Sequence, residues 1–234
     1  MNRLNSGSLL RRLIFGSATF QLIVLTSVIS VVVFILSKIY CSSDACVVWN
    51  SVALRPSSIM VGEKLWTLFT HMFVHGGILH LLMNMFVLFS LGGLCEKIIG
   101  RKRFIWFYLL SGIFAGVLSV LLAGFFGYGI GERFFGSASV SMVGASGAIF
   151  AIAGLFMMLL PRLKFSIIFF PFFSLPAYIM VPLVLFLTWG ISIAAALPIG
   201  NVAHFGGFLA GVLYGWYLRY QYGRKIEQLQ RFFR

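Results

Sequence analysis

Six stretches of this chain are each apolar over roughly the thickness of a lipid bilayer, and nothing else constrains its folding as much. They fall near Phe20–Lys38, Ile78–Cys95, Phe104–Phe125, Val143–Leu160, Ala177–Leu197 and Val202–Leu218. About 20 apolar residues in helical form cross the ~30 Å hydrocarbon layer, where the backbone must satisfy its own hydrogen bonds. Of the 234 residues, 60% are hydrophobic and only 10% are charged, too few polar side chains to cover a water-soluble domain. The sequence therefore predicts an all-α polytopic membrane protein of six transmembrane helices.

A net charge of +13 would suit a nucleic-acid partner if it formed a patch, but it follows the topology instead. With the N-terminus inside, Arg3, Arg11, Arg12, Lys97, Arg101, Lys102, Arg103, Arg162, Lys164, Arg219, Arg224, Lys225, Arg231 and Arg234 fall on the inner side. Lys38, Arg55, Lys64 and Arg133 fall outside. That asymmetry is the positive-inside pattern, and it places both termini in the cytoplasm. No nucleic-acid or nucleotide partner is expected. The first span exceeds a signal-peptide core and no small-x-small site follows it, so it is expected to be retained.

Three regions follow: a cytoplasmic segment 1–19, a membrane domain 20–218 and a basic tail 219–234. The outer loop Tyr40–Gly77 contains LWTLFTHMFVH, whose Leu65, Trp66, Phe69, Met72 and Phe73 share a face at helical spacing. The expectation is an interfacial helix, or one packed on the bundle edge. The stretch Phe165–Pro176 is apolar, holds two prolines and is too short to span, so it should rest at the inner interface. Cys41 and Cys46 lie outside, where a disulfide and a free pair are both open. Cys95 reads as packing, and no spacing of ligating residues suggests a metal site.

The second, fourth and sixth spans all run inward, and each begins with polar residues. His80 and Asn84 open the second, Ser146 the fourth and His204 the sixth. Polar groups within a membrane are costly and mark function. Gly144–Leu160 is 17 residues, about 25 Å of helix, so Ser146 should lie below the outer surface. Gly147, Ala151 and Gly154 form a small-residue stripe, as do Gly207 and Gly211 beside His204, and such stripes let backbones approach. His204 could then take the Ser146 proton as general base. The acids Asp44, Glu63, Glu96, Glu132 and Glu227 all lie in loops, at span ends or in the tail, which favours a dyad over a triad. The Ser146 amide, at a helix start, and the side chains of His80 and Asn84 are candidate oxyanion donors. Phe150 either supports the imidazole or simply packs. His71 and His75, one turn apart in the first loop, read as structural hydrogen-bonding residues rather than catalytic ones.

These motifs, in this order, resemble the rhomboid intramembrane serine proteases with a bacterial-type six-span core. The likeness rests on His75–Met85, on GASG at Gly144–Gly147, on AHFGGFLAG at Ala203–Gly211, and on Glu96 and Gly100 as ExxxG. It implies Ser146 as nucleophile, His204 as base, and His80, Asn84 and the Ser146 amide as oxyanion stabilisers. Gly144 would leave room beside the nucleophile. Trp66 matches the first-loop tryptophan of the family, with Thr67 where an arginine often follows. The resemblance further implies single-span membrane-protein substrates, admitted beside the fifth span with Pro198–Asn201 as part of a cap. It implies no metal or other cofactor, and a bacterial inner membrane. A proteolytically silent, client-binding relative is the alternative; a transporter is disfavoured because no path of charges leads inward.

Overall fold

The computed structural model describes residues 16–41, 46–167, 170–195 and 200–233. Expectations for Arg3, Arg11, Arg12, Asp44 and Arg234, and for the fifth span and its following loop over residues 196–199, lie outside them. In chain order, α1 (Ala18–Tyr40) is followed by three short first-loop helices, α2 (Val47–Val52), α3 (Pro56–Met60) and α4 (Thr67–Thr70). Then come α5 (Ile78–Ile99), α6 (Arg101–Phe126), the single turn α7 (Glu132–Phe135) and α8 (Ser146–Leu159). The last two helices are α9 (Ala177–Ala195) and α10 (Asn201–Phe232).

Four of these, α1, α5, α6 and α9, are long and apolar enough to cross a membrane, and α8 is a shorter apolar helix. The chain is an integral, multi-pass membrane protein. Its outward faces carry half-exposed Val28, Val31, Ile35, Leu82, Phe89, Phe125 and Phe186, a continuous apolar surface that water would not tolerate and lipid requires. VISVVVFIL within α1 is rich in β-branched residues that favour strands in water. It is helical because an isolated strand in hydrocarbon would leave its backbone unpaired.

The start of α1 is held by a side chain from another helix. Glu96, near the end of α5, accepts from the backbone N–H of Ala18 (2.8 Å) and Thr19 (2.9 Å) and from the hydroxyls of Ser17 (3.0 Å) and Thr19 (2.9 Å). A carboxylate here meets both the orphan donors and the positive end of the helix. Replacing Glu96 by alanine is expected to destabilise the fold by about 1–3 kcal/mol, the range for leaving such donors without a partner. Thermal unfolding in detergent checks this, and an unchanged midpoint would show that the cap contributes nothing.

Helix α8 lies at the centre, enclosed by α10, α6, α5 and α9. Most of it is buried, including Ala148, Ile149, Ala151, Ile152, Leu155, Phe156 and Leu159. At 14 residues it is about 21 Å long, shorter than the hydrocarbon layer. Its last carbonyls are capped from α10: Arg219 Nη1 donates to Met158 O (3.2 Å) and Gln230 Nε2 to Leu159 O (2.9 Å). Helix α10 breaks at Tyr222 (φ −128°, ψ 30°), and beyond the break Ile226 is buried, so the basic tail packs back on the bundle.

Two expectations are corrected. Strands β1 (Lys164–Ile167) and β2 (Phe170–Pro176) pair antiparallel, so the fold is helical with one small sheet. The prolines that exclude a helix still permit an end strand, and pairing satisfies a backbone that a loose interfacial segment would leave open. In the first loop, LWTLFTHMFVH is one turn of α-helix followed by a 3₁₀ turn at His71–Phe73 and extended backbone at Val74. The helical period lapses, and the predicted common face divides. Met72 and Phe73 enter the core, Leu65, Trp66 and Phe69 are exposed, and Thr67 is buried instead. Trp66 anchors the loop by donating from Nε1 to Ser51 O (2.8 Å). Cys41 and Cys46 form a disulfide, which settles the choice between the two redox states.

Candidate active site

The first turns of α5, α8 and α10 meet at one end of the bundle. His80 is the third residue of α5, Ser146 the first of α8 and His204 the fourth of α10. His204 Nε2 lies 2.8 Å from Ser146 Oγ, a full hydrogen bond. The imidazole stacks on Phe150, one turn along α8, with ring centroids 4.6 Å apart and planes 25° apart. Phe150 thus fixes the plane of the ring while Ser146 fixes its edge.

This contact depends on close backbone approach between α8 and α10. A Cβ on Gly207 would collide with the carbonyl of Gly147, and one on Gly211 with that of Ala151. Two helices carrying ordinary side chains at these positions could not bring a serine and a histidine together so near their ends.

Gly144 has φ +130°, a conformation that only glycine adopts readily. A Cβ built there would lie 3.1 Å from His80 Cε1, 3.2 Å from His80 Nε2 and 3.7 Å from Ser146 Oγ. The space left by the missing side chain is therefore bounded by the serine hydroxyl on one side and an imidazole nitrogen on the other. The Gly76 N–H lies 3.4 Å from His80 Nδ1 and donates to it. That contact makes Nδ1 the acceptor and leaves Nε2 to carry the proton that faces this space. Asn84 is buried, its amide donates to His80 O (2.8 Å), and its side chain also interacts with His75; the amide carries a second hydrogen beyond the bond to His80.

The loop before α8 is fastened in part by His71 and His75, which hydrogen-bond structurally as the sequence suggests, through partners that the sequence does not identify. Met142 pairs with Leu54 in an isolated bridge, and the Gly144 N–H donates to His71 O (2.9 Å). The Ala145 N–H donates to His75 Nε2 (3.3 Å). His75 must then carry its proton on Nδ1, which reaches Ser30 Oγ at 3.0 Å, and the Ser30 hydroxyl donates onward to Phe73 O (2.9 Å). Two hydrogen bonds in series thus run from Ser30 of α1 through His75 to the residue before Ser146, and a third ties Ser30 to the first loop at Phe73. Burial, and then the neighbouring His80, push the His75 pKa down to about 3, which keeps it neutral and able to accept. His71 is likewise pushed down to about 4 by burial, with Nδ1 2.9 Å from Thr67 O. Ser30 is one of several hydroxyls in an apolar span, with Thr26, Ser27 and Ser37, so the sequence does not single it out. Nor does it identify the partner, because nothing in the sequence places α1 beside the first loop.

Ser146, His204, His80 and Asn84 all line one cavity of about 1220 Å³, walled by α5 and α9 and by the loop around Gly144. It is several times the volume a water cluster needs and is lined mainly by apolar groups such as Phe86, Val87, Met180 and Val184. An apolar cavity with a few convergent polar groups is the usual form of a ligand site. Among the described residues, no cluster of ligating side chains could hold a metal ion.

The Rhomboid domain family model matches residues 62–221, which include every residue of this cluster. RHOMBOID-like protein 5 of Arabidopsis thaliana is 34% identical over 173 residues, covering 73% of this chain and 50% of that protein. RHOMBOID-like protein 4 of the same plant is 32% identical over 165 residues, 70% of this chain and 37% of its own length. Rhomboid-like protease 3 of Toxoplasma gondii is 28% identical over 208 residues, 86% of this chain and 67% of its own. The chain spans between about a third and a half of the length of the plant relatives it matches. These relatives are eukaryotic and lend no support to a bacterial inner membrane. A match over most of a bundle whose helix ends converge in this way leads to one conclusion: the chain belongs to the rhomboid family.

Proposed function

We propose that this chain is an intramembrane serine endopeptidase with six spans and both termini on the inner side, cutting single-span membrane proteins in or near their membrane segments. The observation that carries this is the 2.8 Å contact between Ser146 Oγ and His204 Nε2 at the wall of an apolar cavity. In the reaction, His204 Nε2 takes the hydroxyl proton as Ser146 Oγ bonds to the scissile carbonyl carbon. The carbonyl oxygen becomes an oxyanion, held by His80 Nε2–H, the second Asn84 amide hydrogen and the Ser146 N–H, which as the first residue of α8 has no partner within its helix. His204 then gives its proton to the leaving nitrogen as the C–N bond breaks. Water, deprotonated by His204, adds to the acyl carbon; the Oγ–C bond then breaks, His204 returns the proton to Ser146 Oγ, and the new carboxylate end of the substrate leaves. No metal or nucleotide takes part.

Phe150 keeps the imidazole in plane through these steps, and Gly144 keeps the oxyanion space open. A substrate helix hides its peptide bonds within its own hydrogen-bond ladder, so it must unwind locally to present one to Ser146. The cavity wall formed by α5 and α9 offers the room.

The test is covalent. Purified protein in detergent should be labelled by a fluorophosphonate on Ser146, located by peptide mass measurement, and in liposomes it should cleave a single-span reporter within the membrane segment or at its edge. Client binding without labelling or cleavage would identify a silent relative instead.

A further inference from the structure

Two buried polar atoms of α10, His204 Nδ1 and Asn201 Oδ1, have no hydrogen-bond partner among the described residues. They belong to residues i and i+3 of one helix, which project from the same side about a turn apart. Asn201 is 6% exposed, and both residues line the cavity that holds Ser146. Their chemistry is complementary. When the Ser146 hydroxyl donates to Nε2, a neutral His204 carries its proton on Nδ1, and an amide oxygen can only accept.

The choice of tautomer decides whether His204 can act. With the proton on Nε2, the ring would donate to Ser146 Oγ and could not take its proton. A buried Nδ1–H without an acceptor biases the ring toward that useless form. In the serine triad a carboxylate prevents this, and an asparagine does so beside the histidine of one cysteine protease class. Here no carboxylate among the described residues bonds His204 Nδ1, and Glu132, which lines the same cavity, does not do so either.

We propose that Asn201 is a positioning residue for the Ser146–His204 pair. Its side-chain carbonyl accepts the His204 Nδ1–H, directly after a change of rotamer or through one bridging water, and holds the ring in the tautomer that serves as base. The proposal rests on the protease reading above and adds a third member to the dyad. The other titratable group facing His204 is His80 from α5, while α8 presents Ser146 and Phe150 and the wall helix α9 presents Met180, Val184 and Thr188. Glu132 and Arg133 of α7 line the same cavity.

Wild type, Asn201→Leu and Asn201→Asp are compared in liposomes, with Ser146→Ala alongside. Asn201→Leu, of similar volume but without an acceptor, should lower kcat about tenfold or more with KM and the unfolding midpoint little changed. That is milder than the ~10⁴ that a wrong tautomer costs a triad. Asn201→Asp should restore most of the turnover. It should also move the acidic limb of the kcat profile to higher pH, because a carboxylate at this position favours the imidazolium. Ring ¹⁵N shifts of histidine, assigned to His204 by comparison with His204→Gln, should report Nδ1–H in wild type and a mixture in Asn201→Leu. Unchanged kcat and unchanged ¹⁵N shifts in Asn201→Leu overturn the proposal. So does a loss of turnover that tracks a loss of stability and is not rescued by Asp. The ¹⁵N readout needs no turnover, so a wild type without Ser146-dependent cleavage would sink the protease reading while leaving this one to be decided by the spectra.

Discussion

Alanine at Ser146 is expected to reduce cleavage of a membrane-embedded reporter by at least about 10⁴-fold, and alanine at His204 by a similar factor. The magnitude follows from serine proteases, where removing the nucleophile or the base alone costs on the order of 10⁶ in kcat and removing both costs hardly more. The reason is the same here. On the proposed mechanism, Ser146 Oγ becomes a competent nucleophile only when Nε2, 2.8 Å away, accepts its proton. The double variant should therefore be no slower than either single one. Neither change should unfold the protein, since each removes a side chain from a cavity wall rather than from a packed interior. Rates measured on purified variants in liposomes check this, with thermal unfolding as the control for folding. Cleavage at the wild-type rate in Ser146→Ala would mean that another group attacks the peptide. Strictly additive losses would mean that the two side chains do not act as a unit.

Much of this site was legible in the sequence because polarity is so expensive in hydrocarbon that each exception stands out. Ser146, His204, His80 and Asn84 were each conspicuous in apolar surroundings, and span direction alone put them at one depth. The glycines of α8 and α10 marked the faces along which the helices meet. Less legible were features set by contacts between distant segments. Glu96 reads as a charge at a span end, whereas it caps α1 through four hydrogen bonds. His75 hydrogen-bonds structurally, as the sequence suggests, but its partners, Ser30 of α1 and the N–H of the residue before Ser146, could not be read from it. The first-loop face failed because helical periodicity was extended across eleven residues when the helix lasts a single turn. The strand pair was missed because a short apolar run with prolines looks alike whether paired or loose, and pairing depends on a partner strand. Helix α10 shows the converse difficulty. Its histidine and glycines lower its hydropathy, so it is absent from the helices that qualify as spans on composition alone, although those same residues build its contact with α8.

That contact carries the second large effect. Gly207→Val should lower cleavage by on the order of 10²-fold or more without removing any group that touches the substrate. A side chain at Gly207 would occupy the position of the Gly147 carbonyl, which is backbone and cannot rotate away, so α8 and α10 must separate. Gly147 directly follows Ser146, and Gly207 lies three residues after His204, so the separation falls on the Ser146–His204 contact itself. A displacement of about 1 Å can cost 10² in rate when reacting groups must be aligned. Overpacking of this kind also costs about 1–3 kcal/mol of stability. Gly223→Ala, on the same helix, is the control: a Cβ there meets no atom within 4 Å, and both turnover and stability should stay near wild type. The two effects of Gly207→Val separate in one experiment, because fluorophosphonate labelling of Ser146 is read well below the unfolding midpoint. Slow labelling of a folded variant would show that the glycine acts by holding serine and histidine in register, whereas normal labelling and cleavage would show that the helices can part there without cost to the site.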